Sequence, residues 1–102
     1  MYRVILASSN GDVETKLADK ILDFLDTQCN YARQHSFLLH ELPTKSFRRT
    51  IAGKVYVFKL SRSTLHVSYN GENLGKIDLN QGYKNTDATK LAQKVIKHSQ
   101  KE

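Results

Sequence analysis

The sequence predicts a small α+β domain, with an antiparallel-rich sheet and two helices packed on one of its faces. Three observations carry that prediction. Residues 12–29 and 86–99 each repeat apolar side chains with a helical period. Residues 54–80 hold three short runs rich in β-branched and aromatic side chains. Between the last two runs stands Asn70-Gly71, the strongest short hairpin signal in the chain. The expected order is β-α-β-β-β-α, in a single domain covering residues 1–102.

The first strand is expected at "YRVILASS", whose apolar residues on both faces fit a central or doubly covered position. "SSNGD" reads as its break, and Asp12 and Glu14 suit the start of a helix. In the helix that follows, Val13, Leu17, Ile21, Phe24, Leu25 and Gln28 share one face, with Ala18 and Leu22 at its edge. Asp12, Asp19, Asp23 and Asp26 fall largely outside that face, as a solvated helix exterior. Residues 30–46 read as a long connection holding a short helix or edge strand. Phe37, Leu38, Leu39 and Leu42 need cover there, and Pro43 ends whatever precedes it.

Strands are then expected at "KVYVFKL", "TLHVSYN" and "LGKIDLN". A two-residue loop at Asn70-Gly71 would pair Tyr69 with Glu72; a three-residue loop would pair Ser68 with Glu72. The second segregates polarity better. It puts Leu65, Val67, Ile77 and Leu79 on one face, His66 and Lys76 on the other, and Arg62 opposite Asp78. The last helix is capped by Asn85 or Thr86. It buries Ala88, Leu91, Ala92, Val95 and Ile96 and turns Lys90, Lys94, Lys97 and Lys101 outward.

Composition narrows the function classes. A hydrophobic fraction of 39% and a charged fraction of 25% describe an ordinary globular chain, long enough for one modest core. Cys29 is the single cysteine, so no internal disulfide forms, and a partly buried structural thiol in a reducing compartment is expected. Val4-Ile5-Leu6-Ala7 is too short for a membrane span or a signal-peptide core. A cytoplasmic protein with no membrane partner is the expectation. The net charge of +6 divides into −2 over residues 1–26 and +8 over residues 27–102, an asymmetry that points to a polyanionic partner.

The stretch "KSFRRTIAGKVYVFKLSR" concentrates that charge, with six Lys or Arg and no acid. Along its strand Tyr56, Phe58 and Leu60 point one way, and Val55, Val57 and Lys59 the other. One set must face the side of the sheet that two helices leave open. Tyr56 and Phe58 there, beside Lys54, would make an aromatic and cationic platform for single-stranded nucleic acid. The area argument favours the opposite choice, because three large side chains bury more apolar surface than two valines and a lysine stem. Arg48, Arg49 and Arg62 would reach phosphates from the strand ends, and Lys90, Lys94 and Lys97 form a second basic element.

The expected function is a non-catalytic module that binds nucleic acid, RNA slightly ahead of DNA, with no cofactor. The alternative is a protein-binding accessory factor, a small regulator or inhibitor docking through the open sheet face or the loop 30–46. Arg48, Arg49, Lys54 and the helix lysines on one continuous face would favour the first; their scatter would favour the second. His35, His40, His66 and His98 form no metal-ligand spacing, so no metal is expected. A minor alternative is a toxin-like metal-independent ribonuclease, with His66 moving the proton and Arg62 and Lys76 stabilising the phosphorane.

The β-β-β-α order, with Gly82, Ala88 and Ala92 at the glycine and helix alanines, resembles the double-stranded-RNA-binding fold over residues 54–98. Asn85 and Thr86 stand where that family has paired lysines, so the resemblance implies a fold order and not the family's phosphate clamp. A strand histidine followed by strands and a helix is similar to small toxin ribonucleases of the HicA type, although "STL" replaces their glycine-serine lead into the histidine. Small ribosome-associated factors share the β-α-β-β-β-α order.

Overall fold

Three tight loops organise the chain between its helices. Ala52-Gly53, Arg62-Ser63 and Asn70-Gly71 each place two consecutive residues in the left-handed region, at φ 52 and 77, 52 and 73, and 55 and 87. Two-residue hairpin loops need this geometry because it matches the right-handed twist of the flanking strands. The result is a four-stranded antiparallel meander of β1 (Lys45–Ile51), β2 (Lys54–Ser61), β3 (Thr64–Tyr69) and β4 (Glu72–Asp78), in that spatial order. It is preceded by α1 (Tyr2–Gln34) and followed by α2 (Asn85–Ser99), with 3-10 turns at Leu39–Glu41 and Leu79–Gln81. The computed structural model describes the backbone of residues 2–101 and the side chains of residues 11–101.

Both helices pack on one face of the sheet. From α1, Leu17, Ile21 and Leu25 are fully buried, with Val13, Phe24 and Cys29 packed at the margin. From α2 come Ala88, Leu91, Ala92 and Val95, with Ile96 beside them. The sheet answers with Ile51, Tyr56, Phe58, Leu60, Leu65, Val67 and Ile77, all in the same buried cluster. Phe47 stacks on Phe58 at 4.6 Å and meets Phe24 of α1 at 5.0 Å, so α1 lies over β1 and β2. On the same face, at the opposite edge of the sheet, α2 comes so close to β4 that a Cβ on Gly75 would stand 2.8 Å from Leu91 Cδ1. That approach requires a glycine.

The α+β class, the two helices on one face and the buried stripes of both helices agree with the sequence reading. The element order does not, being α-β-β-β-β-α. The strand expected over "YRVILASS" is instead the first part of α1. A short apolar run does not distinguish strand from helix, and Asn10-Gly11 does not stop the helix, since a glycine costs it only about 1 kcal/mol. The helix also runs past residue 29 to Gln34. The first strand of the sheet is β1, in the basic stretch, where Phe47, Arg49 and Ile51 alternate with Ser46, Arg48 and Thr50. Its charged residues are those of an edge strand, which they protect from pairing with another chain.

The β3–β4 hairpin also corrects its expected register. Asn70-Gly71 forms a two-residue loop pairing Tyr69 with Glu72, and a bulge then inserts Leu74, so that Val67 pairs with Gly75 and Leu65 with Ile77. The bulge restores the polarity that a three-residue loop was needed to provide. Leu65, Val67, Ile77 and Leu79 are buried, while His66 and Lys76 share the other face as expected. Asp78 pairs with Thr64, and Arg62 leaves the ladder for the β2–β3 turn. At α2, neither Asn85 nor Thr86 is the cap. Lys84 holds that position, and its N–H donates to Asp87 Oδ2 at 2.7 Å.

Candidate nucleic-acid interface

Among the described residues no layer covers the face of the sheet away from the helices, and Val55 on it is 45% exposed. Strand alternation and pairing register decide what it displays. One row runs Ser46, Lys59, His66, Lys76 across all four strands. The next runs Arg48, Val57, Ser68, Asn73. Neighbouring strands lie about 4.8 Å apart, so Lys59, His66 and Lys76 sit within roughly 10 Å along one line. Lys59 of β2 and Lys76 of β4 stand two strands apart, with His66 of β3 between them. Their presence where small polar residues would serve the fold equally well is a functional signal.

Two devices hold this face in shape. The Asn73 amide is oriented by the Gly75 N–H, which donates to its Oδ1 at 3.0 Å. Its Nδ2 is then the group facing His66 Nδ1 at 2.9 Å, so Nδ1 accepts and the proton of the neutral ring sits on Nε2, toward solvent. At the other end, Ser63 is buried in the β2–β3 turn. Its Oγ accepts from Asn80 Nδ2 at 2.8 Å and its carbonyl from the Leu79 N–H at 2.8 Å. The pinned turn presents Arg62 beside the face at φ 52, a conformation that costs a non-glycine residue about 1 kcal/mol. Lys59, Arg62, Thr64, His66, Ser68 and Asn73 line a shallow depression of about 510 Å³.

The basic surface turns the corner at β4. Lys76 lines a second cleft, of about 410 Å³, with Lys90 and Lys94 of α2, and Thr64 is common to both. Lys94 lies against β4, its Nζ 3.7 Å from where a Gly75 Cβ would be. Two carboxylates share this cleft, Asp78 and Asp87, and both already accept backbone N–H groups, from Asn80 at 2.9 Å and Lys84 at 2.7 Å.

The residues expected to bind nucleic acid therefore divide. Arg48 and Arg62 belong to the open face, and Lys90 and Lys94 join it through Lys76. Lys97 is exposed on α2 and lines neither depression. Arg49 points to the helix side, half-buried opposite Tyr56. Lys54 is on that side too, and its Nζ donates to the carbonyls of Lys101 at 2.6 Å and His98 at 3.4 Å. It satisfies the orphan carbonyls at the end of α2 and complements the helix dipole, so it is spoken for. Tyr56 and Phe58 are fully buried, and the aromatic platform does not exist on this sheet. The reason is the apolar area argument, reinforced by the Phe47 stack and by the Tyr56 hydroxyl, 2.8 Å from His98 Nδ1. Burial pushes the Tyr56 phenol up, helped by nearby Tyr69, so the hydroxyl keeps its proton.

The set Arg48, Arg49, Lys54 and the helix lysines is thus scattered, the outcome that favours the protein-binding alternative, while a different set is contiguous. Lys59, missed as a binding residue, follows from parity once Tyr56 and Phe58 are assigned to the core. Lys76 and His66 stand directly opposite each other rather than offset, which the bulge alone decides. Among the described residues no cluster of His, Cys, Asp or Glu could hold a metal ion, and no helix is long and apolar enough to cross a membrane. Comparison of the chain with protein-family models, curated proteins and solved structures finds no match.

Proposed function

We propose that the protein is a non-catalytic module that binds nucleic acid by gripping phosphates across the open sheet face. One observation carries this reading: the row Lys59–His66–Lys76, flanked by Arg48 and Arg62, on a face no helix covers. Lys90 and Lys94 extend it over the β4 edge. With no aromatic ring on this surface among the described residues, recognition rests on the backbone of the polymer and is strongly salt-dependent. RNA is favoured over DNA because Ser46, Thr64, Ser68 and Asn73 stand among the cations, where hydroxyls and amides can engage a ribose hydroxyl. A cytoplasmic location fits this role.

No proton-transfer role is assigned to His66. Its Nδ1 is engaged by Asn73, and its cross-strand neighbours are Lys59 and Lys76, so nothing on its two flanks acts as the second acid–base group that cleavage needs. Fluorescence anisotropy with RNA and DNA probes at two salt concentrations tests the reading. Binding at low salt that falls steeply with added salt is expected. Absence of affinity at low salt would end the proposal. Multiple-turnover RNA cleavage by the wild type, abolished by His66→Gln, would replace it with the ribonuclease reading.

A further inference from the structure

A second surface lies at the end of α1. Tyr31 and His35 are one helical turn apart, with ring centroids at 4.2 Å. The helix then closes on Ser36, left-handed at φ 57, with Phe37 N–H donating to Ala32 O at 2.8 Å and Ser36 N–H to Arg33 O at 3.3 Å. This is the Schellman closure, and it usually brings the residue after the left-handed position back onto the last turn. Here that residue is Phe37, 6.0 Å from Tyr31 and 5.9 Å from His35, its ring inclined 23° to the imidazole.

The closure explains why Phe37 meets Tyr31. It does not explain why the cluster stays open to water. Tyr31 and Phe37 are each 41% exposed and Leu38 is 60% exposed, whereas Leu42 further on is buried. A capping contact needs only a small apolar residue, and three rings with free surface exceed that need. The charge around them differs from the rest of α1. Residues 12–26 carry five acids, whereas residues 27–40 carry none and hold Arg33, His35 and His40; the carboxylate of Glu41, next in the chain, is taken up by the Leu38 N–H at 2.7 Å. An aromatic cluster beside Arg33 and two histidines, with its one neighbouring carboxylate already engaged, complements a base with its phosphate more closely than it does an ordinary protein surface.

We propose that Tyr31, His35 and Phe37 form a stacking site for bases of a single-stranded segment. The inference rests on the nucleic-acid reading and adds to it the base contacts that the sheet face lacks. The loop 35–44 runs from this cluster directly into β1, whose Ser46 opens the Lys59 row. One polymer can thus be held by phosphates on the sheet and by bases at the helix end.

The test uses the full chain with two RNA probes of equal length, a single strand carrying a fluorescent adenine analogue and a duplex. Wild type is expected to bind both and to quench the analogue. The Tyr31→Ala, Phe37→Ala double variant should lose the quenching and about tenfold in single-strand affinity, the scale of one to two lost stacks. Its duplex affinity and thermal midpoint should stay unchanged. Phe37→Leu, which keeps apolar bulk and removes the ring, should share the loss in part. Unchanged quenching and affinity in the double variant would overturn the stacking site and leave the sheet-face reading intact. Full retention by Phe37→Leu alone would overturn it in favour of a protein-docking patch. Failure of wild type to bind either probe at low salt would overturn both.

Discussion

The two faces of the sheet are made by the same residues in alternation, and they obey different constraints. On the helix side Phe58, Leu60, Leu65 and Val67 are buried and contiguous with both helices. On the open side their immediate neighbours Lys59, Thr64, His66 and Ser68 touch no second layer. The helix side is determined by packing, so its residue types follow from area and volume. The open side is released from packing, so its residue types record something other than the fold. Cations gathered there with no packing reason are the informative feature.

The largest test of this contrast sets two adjacent residues against each other. Phe58→Ala removes a fully buried ring stacked on Phe47 and should cost about 3–5 kcal/mol in urea denaturation. Lys59→Ala, one residue away, should stay within about 0.5 kcal/mol of wild type. Comparable losses at both positions would erase the distinction. Gly75→Val comes next. Its Cβ would meet Leu91 Cδ1 at 2.8 Å, so α2 must shift from β4, and a loss of about 1–3 kcal/mol is expected in the same measurement.

The open face is sharpened by charge reversal. Lys59→Glu with Lys76→Glu should lower RNA affinity by at least about tenfold, or roughly 1.4 kcal/mol, and flatten its salt dependence. The thermal midpoint should barely change, because both side chains are exposed and outside the packed core. A parallel fall in stability would mean that these lysines belong to the fold.

The smallest test lies at Tyr56, which joins the helix side to α2. Tyr56→Phe keeps the ring and loses the bond to His98, at about 1 kcal/mol near neutral pH. Its folded phenol is raised above the ordinary 10.0. Below that pH both folded and unfolded phenols are protonated, and the group adds no pH dependence. Above it the unfolded phenol ionises first, so stability should fall as pH rises toward the folded value. The decline should be shallower in Tyr56→Phe. Equal slopes would place the alkaline sensitivity elsewhere, Tyr83 being the next phenol, raised by burial and by its hydrogen bond to Asp26.

Much of the helix side was legible in the chain. The stripes Leu17–Ile21–Leu25 and Leu91–Val95 follow from period alone, and the burial of Tyr56 and Phe58 from comparing areas. Three features were not legible, each for its own reason. "VILA" near the N-terminus is too short to choose between strand and helix. β1 hides because an edge strand carries arginines where a central strand carries valines. The bulge at Leu74 allows a two-residue loop and segregated faces together, which an unbroken register does not. The candidate interface inherits that last difficulty, since the bulge sets Lys76 opposite His66, while Arg49 and Lys54 could be removed from it only by knowing where the helices lie.

The sequential order of the meander has a kinetic consequence. Each strand pairs with its chain neighbour across a two-residue loop, so forming the sheet closes only short loops and loses little chain entropy at any step. The distant union is α1 with α2, from opposite ends of the sequence. Because the hairpins close the shortest loops, we expect them to form first and the helices to dock late. Substitutions at Phe58 or Leu65 should therefore slow refolding, whereas those confined to the α1–α2 contact should chiefly hasten unfolding.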